Sequence, residues 1–222
     1  MSGRELLEIT QLTLRVGAVA TLCALPAGVA LGYLLARARF RGRALLEALI
    51  ALPMVLPPVA VGLALLLLLG SQGPLGPLWS ALDLHVVFTW WAAALAAAVV
   101  GFPLLVRACE QSFSEVDPRY ERVARTLGLG ATATFFRVTL PLARRGVLYG
   151  TLLCFTRALG EFGATALVAG IIPGRTETLA LGIWSRVQIG DDSGALALCG
   201  ASFALALGAM LIAEGWLGRA RR

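Results

Sequence analysis

Arg157 and Glu161 are two charged side chains inside a long apolar stretch, and of all the residues in this sequence they are best placed to do chemistry within a membrane. Because they are four residues apart, they would lie on one face of a helix. A charge at the centre of a bilayer costs at least ~2.5–3.5 kcal/mol on insertion scales, so we expect both in a protein interior or a wet cavity. The pair either forms a salt bridge that fixes helix packing or marks a gate on a pathway. The nearby Gly160 and Gly163 would permit close helix approach beside it.

The other reactive residue types do not group into a catalytic or metal site. The four cysteines are scattered, with no CxxC or Cys/His cluster, and His85 is the single histidine. This pattern predicts no metal, no cofactor and no disulfide framework. An intramembrane protease would need a Ser/His or paired-Asp arrangement, and the apolar stretches contain no aspartate. The sequence also lacks a G-x-x-x-x-G-K-[ST] segment, so we expect no ATP hydrolysis by this chain and no catalytic residue in it.

Composition indicates which elements carry the charged pair. Of the 222 residues, 58% are hydrophobic and 14% are charged, whereas a soluble domain has about 25% charged residues. The mean hydropathy is +0.81, so the apolar residues must face lipid as well as each other. We therefore predict an all-α integral membrane protein, with helices of about 20 residues to cross a bilayer of ~30 Å. Five stretches are long enough: about Thr10–Ala36, Leu45–Leu69, Val86–Val106, Gly146–Ala169 and Gly194–Ala213.

The arginines predict how these spans are oriented. They are concentrated in the connections 37–43 and 107–145 and at the C-terminal end, while 71–85 has none and 171–193 has two. Arginine-rich connections stay in the cytoplasm. This places the N-terminus outside and the C-terminus inside, the latter resting on Arg219, Arg221 and Arg222. We therefore interpret the net charge of +6 as a signal of membrane orientation and expect no nucleic-acid partner.

Two segments are predicted to depart from straight membrane helices. The second stretch contains Pro53, Pro57 and Pro58, each of which removes a backbone donor. We expect that helix to be kinked and packed inside a bundle, because carbonyls freed in lipid need other partners. The kink is either a tolerated irregularity or a functional hinge. Residues Thr178–Val187 mix apolar and polar positions, which predicts a short interfacial helix with Trp184 at headgroup depth.

The connection between the third and fourth stretches has the signals of two short helices. Asp117 can cap a helix and Pro118 suits its first turn. That helix would run to about Leu127, and Gly128 could end it in a left-handed conformation. A second helix, about Thr132 to Leu140, would be stopped by Pro141.

This connection resembles the EAA loop of ABC-importer permeases, whose pattern is Glu-Ala-Ala, three residues, Gly, nine residues, Ile-x-Leu-Pro. Val138 replaces the Ile, while Arg122 and Val123 stand where Glu and Ala are usual, and Glu121 lies one residue earlier as the acidic group. Four residues match in register: Ala124, Gly128, Leu140 and Pro141.

The resemblance implies that this loop is where a separate ATPase pushes on the permease. The small Ala124 would allow close approach, Gly128 would supply the tight reversal, and Pro141 would fix where the loop rejoins a membrane helix. The ATPase-coupling residues are then expected to be Glu121, Arg122, Ala124, Gly128, Leu140 and Pro141.

Three further segments are similar to molybdate permeases: Leu52–Val59, Phe155–Thr165 and Ile172–Thr176. The second of them is also similar to the related sulfate permeases. The resemblance covers nearly the whole chain. It implies one permease domain over residues 1–222 with a type I ABC-importer fold. A cytoplasmic coupling loop, at about 107–145, would lie between spans three and four.

The same resemblance implies partners and a substrate. In the bacterial inner membrane, two copies of the chain would form a homodimer on two cytoplasmic ATPases that hold ATP and Mg. A periplasmic or lipid-anchored binding protein would deliver an oxyanion, either molybdate or tungstate, with sulfate or thiosulfate as the alternative. Two functions outside this class are disfavoured. The sequence lacks the catalytic residues that an intramembrane enzyme needs, and the matched loop would have no role in a stand-alone channel.

Overall fold

The computed structural model describes residues 2–218, and within that range the chain is helical with no β strand. This confirms the all-α prediction. A π-helical segment, Phe135–Thr139, lies between the seventh and eighth α helices. In chain order the α helices are α1 (Gly3–Arg37), α2 (Arg43–Val55), α3 (Pro58–Leu69), α4 (Gly76–Ala81), α5 (Trp90–Glu115), α6 (Pro118–Thr126), α7 (Ala131–Thr134), α8 (Leu140–Leu159), α9 (Gly163–Val168), α10 (Leu179–Gln188) and α11 (Asp192–Gly218).

Helices α1 and α5 form the closest pair and run in the same direction. A Cβ atom added at Gly28 would lie 2.5 Å from Cδ2 of Leu105, and one added at Gly32 would lie 2.5 Å from Cβ of Cys109. Small residues at such contacts let two backbones approach, which is how helices associate where lipid is as apolar as the side chains.

Helix α8 packs on the same central helix in the opposite direction. A Cβ added at Gly101 of α5 would lie 2.9 Å from Sγ of Cys154, and one added at Gly150 of α8 would lie 2.7 Å from Cβ of Ala108. Helix α5 is therefore held between two partners, which explains why most of its alanines are fully buried.

Three of the described helices are long and apolar enough to cross a membrane, namely α1, α5 and Asp192–Leu211 of α11, and α2 with α3 adds a fourth if the pair is one span. Helix α8 does not meet the same test, and it contains Arg144, Arg145 and Arg157. The count of five spans and the orientation remain predictions. Arg219, Arg221 and Arg222, which carry the prediction for the C-terminus, lie outside the described residues.

The second apolar stretch is broken rather than kinked, which corrects the prediction. Helices α2 and α3 meet at an angle of 110°. Leu56 and Pro57 both have extended backbones with ψ of 144° and 132°, because a residue that precedes a proline is driven out of the helical region. Pro53, in contrast, is accommodated inside α2. The prediction that this helix is packed inside a bundle is also wrong for the single chain, because Val55, beside the break, is 80% exposed.

The fourth stretch is broken as well, between Leu159 and Gly163, into α8 and α9. The predicted short helix at Thr178–Val187 is present as α10, and its Trp184 ring lies 5.5 Å from that of Phe162, centroid to centroid. The headgroup depth of Trp184 remains a prediction.

The contact between α1 and α5 predicts an intolerant position. A Cβ at Gly32 would also lie 2.9 Å from the backbone nitrogen of Glu110, so Gly32→Ala should cost ~1–3 kcal/mol by overpacking. Gly208→Ala on α11 is the matched control, because nothing lies within 4 Å of its added Cβ. The measurement is the thermal midpoint of the detergent-purified protein. Equal midpoints for the two variants would contradict the close packing.

Candidate functional site

The connection between α5 and α8 is shorter and more regular than predicted. Helix α5 continues to Glu115 and α8 begins at Leu140, so only residues 116–139 lie between them rather than 107–145. The first short helix begins as expected, with Oδ1 of Asp117 accepting a hydrogen bond from the Arg119 amide at 2.8 Å. Gly128 follows it with φ of +87°, the left-handed turn that favours glycine.

The second predicted helix does not end at Pro141, which corrects that prediction. The chain passes from α7 through the π-helical segment directly into α8. The Leu140 amide donates to the carbonyl of Phe135, five residues back. A proline has no N–H, and its ring would clash with the carbonyl four residues earlier. The wider π turn just before Pro141 lets the helix continue.

Glu121 is buried in the protein rather than presented at its surface. Its Oε1 accepts hydrogen bonds from Nε of Arg37 and from Oγ1 of Thr139, both at 3.0 Å. The same Arg37 donates through Nη2 to the Val116 carbonyl at 2.8 Å. One carboxylate and one guanidinium therefore join the ends of α1 and α5 to α6 and to the π-helical segment.

A cluster of aromatic rings packs beside this polar network. The ring centroid of Tyr33 on α1 lies 5.4 Å from that of Phe113 on α5 and 5.0 Å from that of Phe135, in edge-on arrangements. Such pairs add ~0.5–1.5 kcal/mol to the burial of their surface. The network and the rings together fix the short helices to the bundle.

Helix α6 has two distinct faces. Glu121 and Ala124 are buried on one of them, at 8% and 5% exposure. The interpretation of Ala124 as a point of close approach for a partner is therefore corrected, because its side chain is buried against its own chain. Tyr120 and Val123, with Leu127 just past the end of the helix, lie beside that face and are 58%, 57% and 79% exposed. We call these three residues the outward stripe.

Sequence reasoning missed the outward stripe, although its spacing of three and four residues on a polar helix is a visible signal. Of the other residues predicted for this loop, Arg122 and Pro141 are exposed, and Leu140 is half-buried against the core. The structure brings Glu121 and Ala124 together on one face of α6, with Gly128 at the turn that follows.

Arg157 and Glu161 do form an ion pair, with Nη1 2.8 Å from Oε2, but they do not share a helix face. Helix α8 ends at Leu159, so Glu161 lies beyond it. The Oε1 atom of Glu161 accepts a hydrogen bond from the Ala164 amide at 2.9 Å, which satisfies a free N–H in the first turn of α9. The Glu161 side chain is only 2% exposed, whereas that of Arg157 is 34% exposed.

The two broken stretches meet each other. A Cβ added at Gly163 would lie 2.9 Å from Cβ of Pro58, and one added at Gly62 would lie 2.7 Å from the Cα of Ala164. The break between α2 and α3 and the break between α8 and α9 are therefore neighbours in space. Broken helices are tolerated at membrane depth where they are buried in protein or line a water-filled cavity. The sequence signals were Pro57 and Pro58 in one stretch and the glycines around Glu161 in the other.

The buried pair of Arg37 and Glu121 predicts how firmly α6 is held. Loss of one partner leaves a buried charge and costs up to ~3–5 kcal/mol. Arg37→Ala and Glu121→Ala should therefore each speed trypsin cleavage after the exposed Arg119 and Arg122 roughly tenfold or more, since each ~1.4 kcal/mol is a factor of ten.

The double variant should be cleaved more slowly than the product of the two single effects predicts. Arg4→Ala is the control, because Arg4 pairs with Glu8 in an exposed position. Fully multiplicative effects of the two single changes would show that the pair does not couple.

Comparison with known sequences places the chain in a family. Residues 28–220 match the sequence model of the binding-protein-dependent transport system inner membrane component family. The Molybdenum transport system permease protein ModB of Escherichia coli (strain K12) is 45% identical over 213 residues, covering 95% of this chain and 93% of that protein. The Sulfate transport system permease protein CysW of Synechococcus elongatus is 40% identical over 181 residues, covering 82% of this chain and 63% of that protein. Both are named as permeases, not as enzymes.

Solved structures share the fold at low sequence identity. A bacterial ABC transporter involved in the import of the acidic polysaccharide alginate superposes with a TM-score of 0.72 at 16% identity, over 100% of this chain and 80% of that one. The alginate transporter in complex with an alginate pentasaccharide-bound periplasmic protein gives 0.70 at 16% identity, over 94% and 77%. The predicted permease fold is thereby confirmed. From the family match, the relatives and the apolar helices it follows that this chain is a multi-pass inner-membrane protein and belongs to the binding-protein-dependent transport system inner membrane component family.

Proposed function

We propose that this chain is the membrane-spanning subunit of an ATP-driven importer for a tetrahedral oxyanion, and that the oxyanion is molybdate. The observation that carries the proposal is the 45% identity to a molybdenum transport permease along 95% of the chain. Tungstate nearly matches molybdate in size and charge and is expected to use the same route. Sulfate is the second candidate, supported by the sulfate permease that matches 82% of the chain.

We further propose that residues 1–222 form one permease domain and that two copies of it enclose the pathway. Two cytoplasmic ATPases would carry ATP and Mg, and a periplasmic or lipid-anchored binding protein would deliver the anion. The exposed apolar surface around Val55 and Met54, at 80% and 58% exposure, supports a second copy. A break in a membrane helix frees backbone groups that need protein or water as partners, so protein is expected against this surface.

The outward stripe supports a docking role for α6. Tyr120, Val123 and Leu127 would enter a cleft of the ATPase, and movement of α6 would pass through Glu121 and Arg37 to the ends of α1 and α5. Because α1 and α5 pack backbone to backbone, they would move as one body. Glu121 and Ala124 thus act on the side of α6 that faces the permease itself.

Arg157, Gly160, Glu161 and Gly163 would form a gate where the two broken stretches meet. A third of the Arg157 side chain is exposed, so it could attract an oxyanion. Its pairing with Glu161 offsets that attraction, which would let the anion pass instead of being trapped. The ion pair would hold one arrangement of the break, and a change in the packing of α3 on α9 would open it.

The docking role predicts a specific defect. Val123→Asp places a charge in the outward stripe, and Gly128→Val strains a left-handed turn by ~1–2 kcal/mol with nothing within 4 Å to clash. Both variants should reach normal membrane levels, lose ATPase co-purification and lose uptake of radiolabelled molybdate. Ser114→Asp, exposed at the end of α5, is the matched control.

In the unaltered system, tungstate should compete for this uptake and excess sulfate should not. Competition by sulfate as strong as by tungstate would reject molybdate as the preferred substrate. Full ATPase binding and uptake in both α6-region variants would reject the docking role.

The gate predicts a separation of assembly from transport. Arg157→Gln or Glu161→Gln alone strands one charge and should lower the membrane level of the protein. The double variant removes both charges and keeps an oxygen for the Ala164 amide, so its level should recover. Its uptake should stay at least about tenfold below normal, equivalent to ~1.4 kcal/mol of barrier. A double variant with full uptake would mean that the pair serves packing alone.

A further inference from the structure

Two arginines lie at the two ends of the uncharged part of α1. Residues 16–36 contain no charged side chain, and at 1.5 Å per residue they span about 32 Å, close to the ~30 Å of a hydrocarbon core. Arg15 packs against Trp90, the first residue of α5, while Arg37 bonds to Val116 just past the last residue of α5. The two guanidinium groups therefore lie at opposite ends of an apolar segment long enough to cross the hydrocarbon core.

The two arginines differ in their partners. Arg37 is largely buried and bonded to Glu121 and to a carbonyl. Arg15 is exposed, and in the described part of the chain its N–H groups have no carboxylate or carbonyl partner within hydrogen-bond distance. Its one contact of note is the Trp90 ring, with Cζ 3.8 Å from the centroid.

The nearest acidic residues on the same helix are already paired with other arginines. Glu8 bonds to Arg4, and Glu5 pairs with Arg186 of α10. Because neither carboxylate pairs with Arg15, an anion bound to its free N–H groups would come from outside the chain.

The surroundings of Arg15 are those of a lipid boundary. Trp90 and Trp91 stack with their centroids 4.0 Å apart, and Trp91 is 55% exposed. Leu22, seven residues after Arg15 and so on the same side of α1, is 65% exposed. Tryptophan is enriched where a protein crosses the headgroup region, and exposed leucine continues the surface into the acyl-chain region.

We propose that Arg15 with Trp90 and Trp91 forms a binding site for the headgroup phosphate of an anionic phospholipid. The Trp90 ring covers one face of the guanidinium and holds its plane, which leaves the N–H edge free. That edge matches two oxygens of a phosphate. The exposed Trp91 ring lies beside the position of the glycerol and the first acyl carbons, and Leu22 lies along the chain below.

The test is lipid retention by the purified full chain, measured by native mass spectrometry with added phosphatidylglycerol or phosphatidylcholine. A basic residue near an anionic lipid surface contributes ~1 kcal/mol, so Arg15→Gln should lower retention of phosphatidylglycerol about fivefold. Arg4→Gln, on the same helix but paired with Glu8, should leave it unchanged. Retention of phosphatidylglycerol by Arg15→Gln at the unaltered level would overturn the proposal.

Two further arms keep the result interpretable. Arg15→Lys preserves the positive charge, and it replaces Arg15→Gln in the lipid-retention test if that variant does not accumulate in the membrane. It should still prefer phosphatidylglycerol to phosphatidylcholine, and an equal preference would contradict a charge-based site. Added sodium molybdate should not displace the lipid. Displacement would mean that Arg15 serves a transported oxyanion instead, and the lipid site would be rejected.

Discussion

The structure depends on the close approach of α1 and α5 through small residues. In lipid the hydrophobic effect gives helices no reason to associate, so packing must supply the attraction. A methyl group added at Gly28 would meet the Leu105 side chain, and one added at Gly32 would meet the backbone of α5. Helix α8 uses the same device on the other side of α5, at Gly150 and Gly101. The remaining helices, the loop between α5 and α8 and the broken stretches are all arranged around this three-helix core.

Two buried carboxylates, Glu121 and Glu161, are each paired with an arginine. Arg37 and Glu121 close the core at one end, and the carboxylate accepts from two other elements of the chain, α1 and the π-helical segment. Glu161 does the same at the break between α8 and α9, where one oxygen pairs with Arg157 and the other caps a helix. In both places the acidic side chain is the more deeply buried partner, although Arg37 is itself largely buried and only Arg157 is a third exposed. Such carboxylates fix positions within the fold, and of the two arginines Arg157 is the one that another molecule could reach.

The caps and turns of single helices could be predicted from the sequence. The side of a helix that is buried, and whether a helix continues or breaks, could not. Asp117, Pro118 and Gly128 act through their own backbone neighbours, so their effects follow from residue type and are present in the structure. The direction in which Ala124 points depends on what packs beneath α6, and no pattern in the loop contains that information. The consecutive prolines predicted an irregular helix. Whether that helix is kinked or broken by 110° depends on how the surrounding helices pack against it. The prediction that a helix ends at Pro141 was wrong for a related reason, because the π-helical segment before it makes room for the proline ring.

The shared direction of α1 and α5 has a consequence for the path of the chain. Both helices begin at the end marked by Arg15 and Trp90 and finish at the end marked by Arg37 and Val116. After leaving α1 at the far end, the chain must travel back through the full thickness of the bundle before α5 can start. Helices α2 and α3 are the apolar elements available for that journey. Despite its sharp corner, this pair therefore carries the chain from one end of the bundle toward the other.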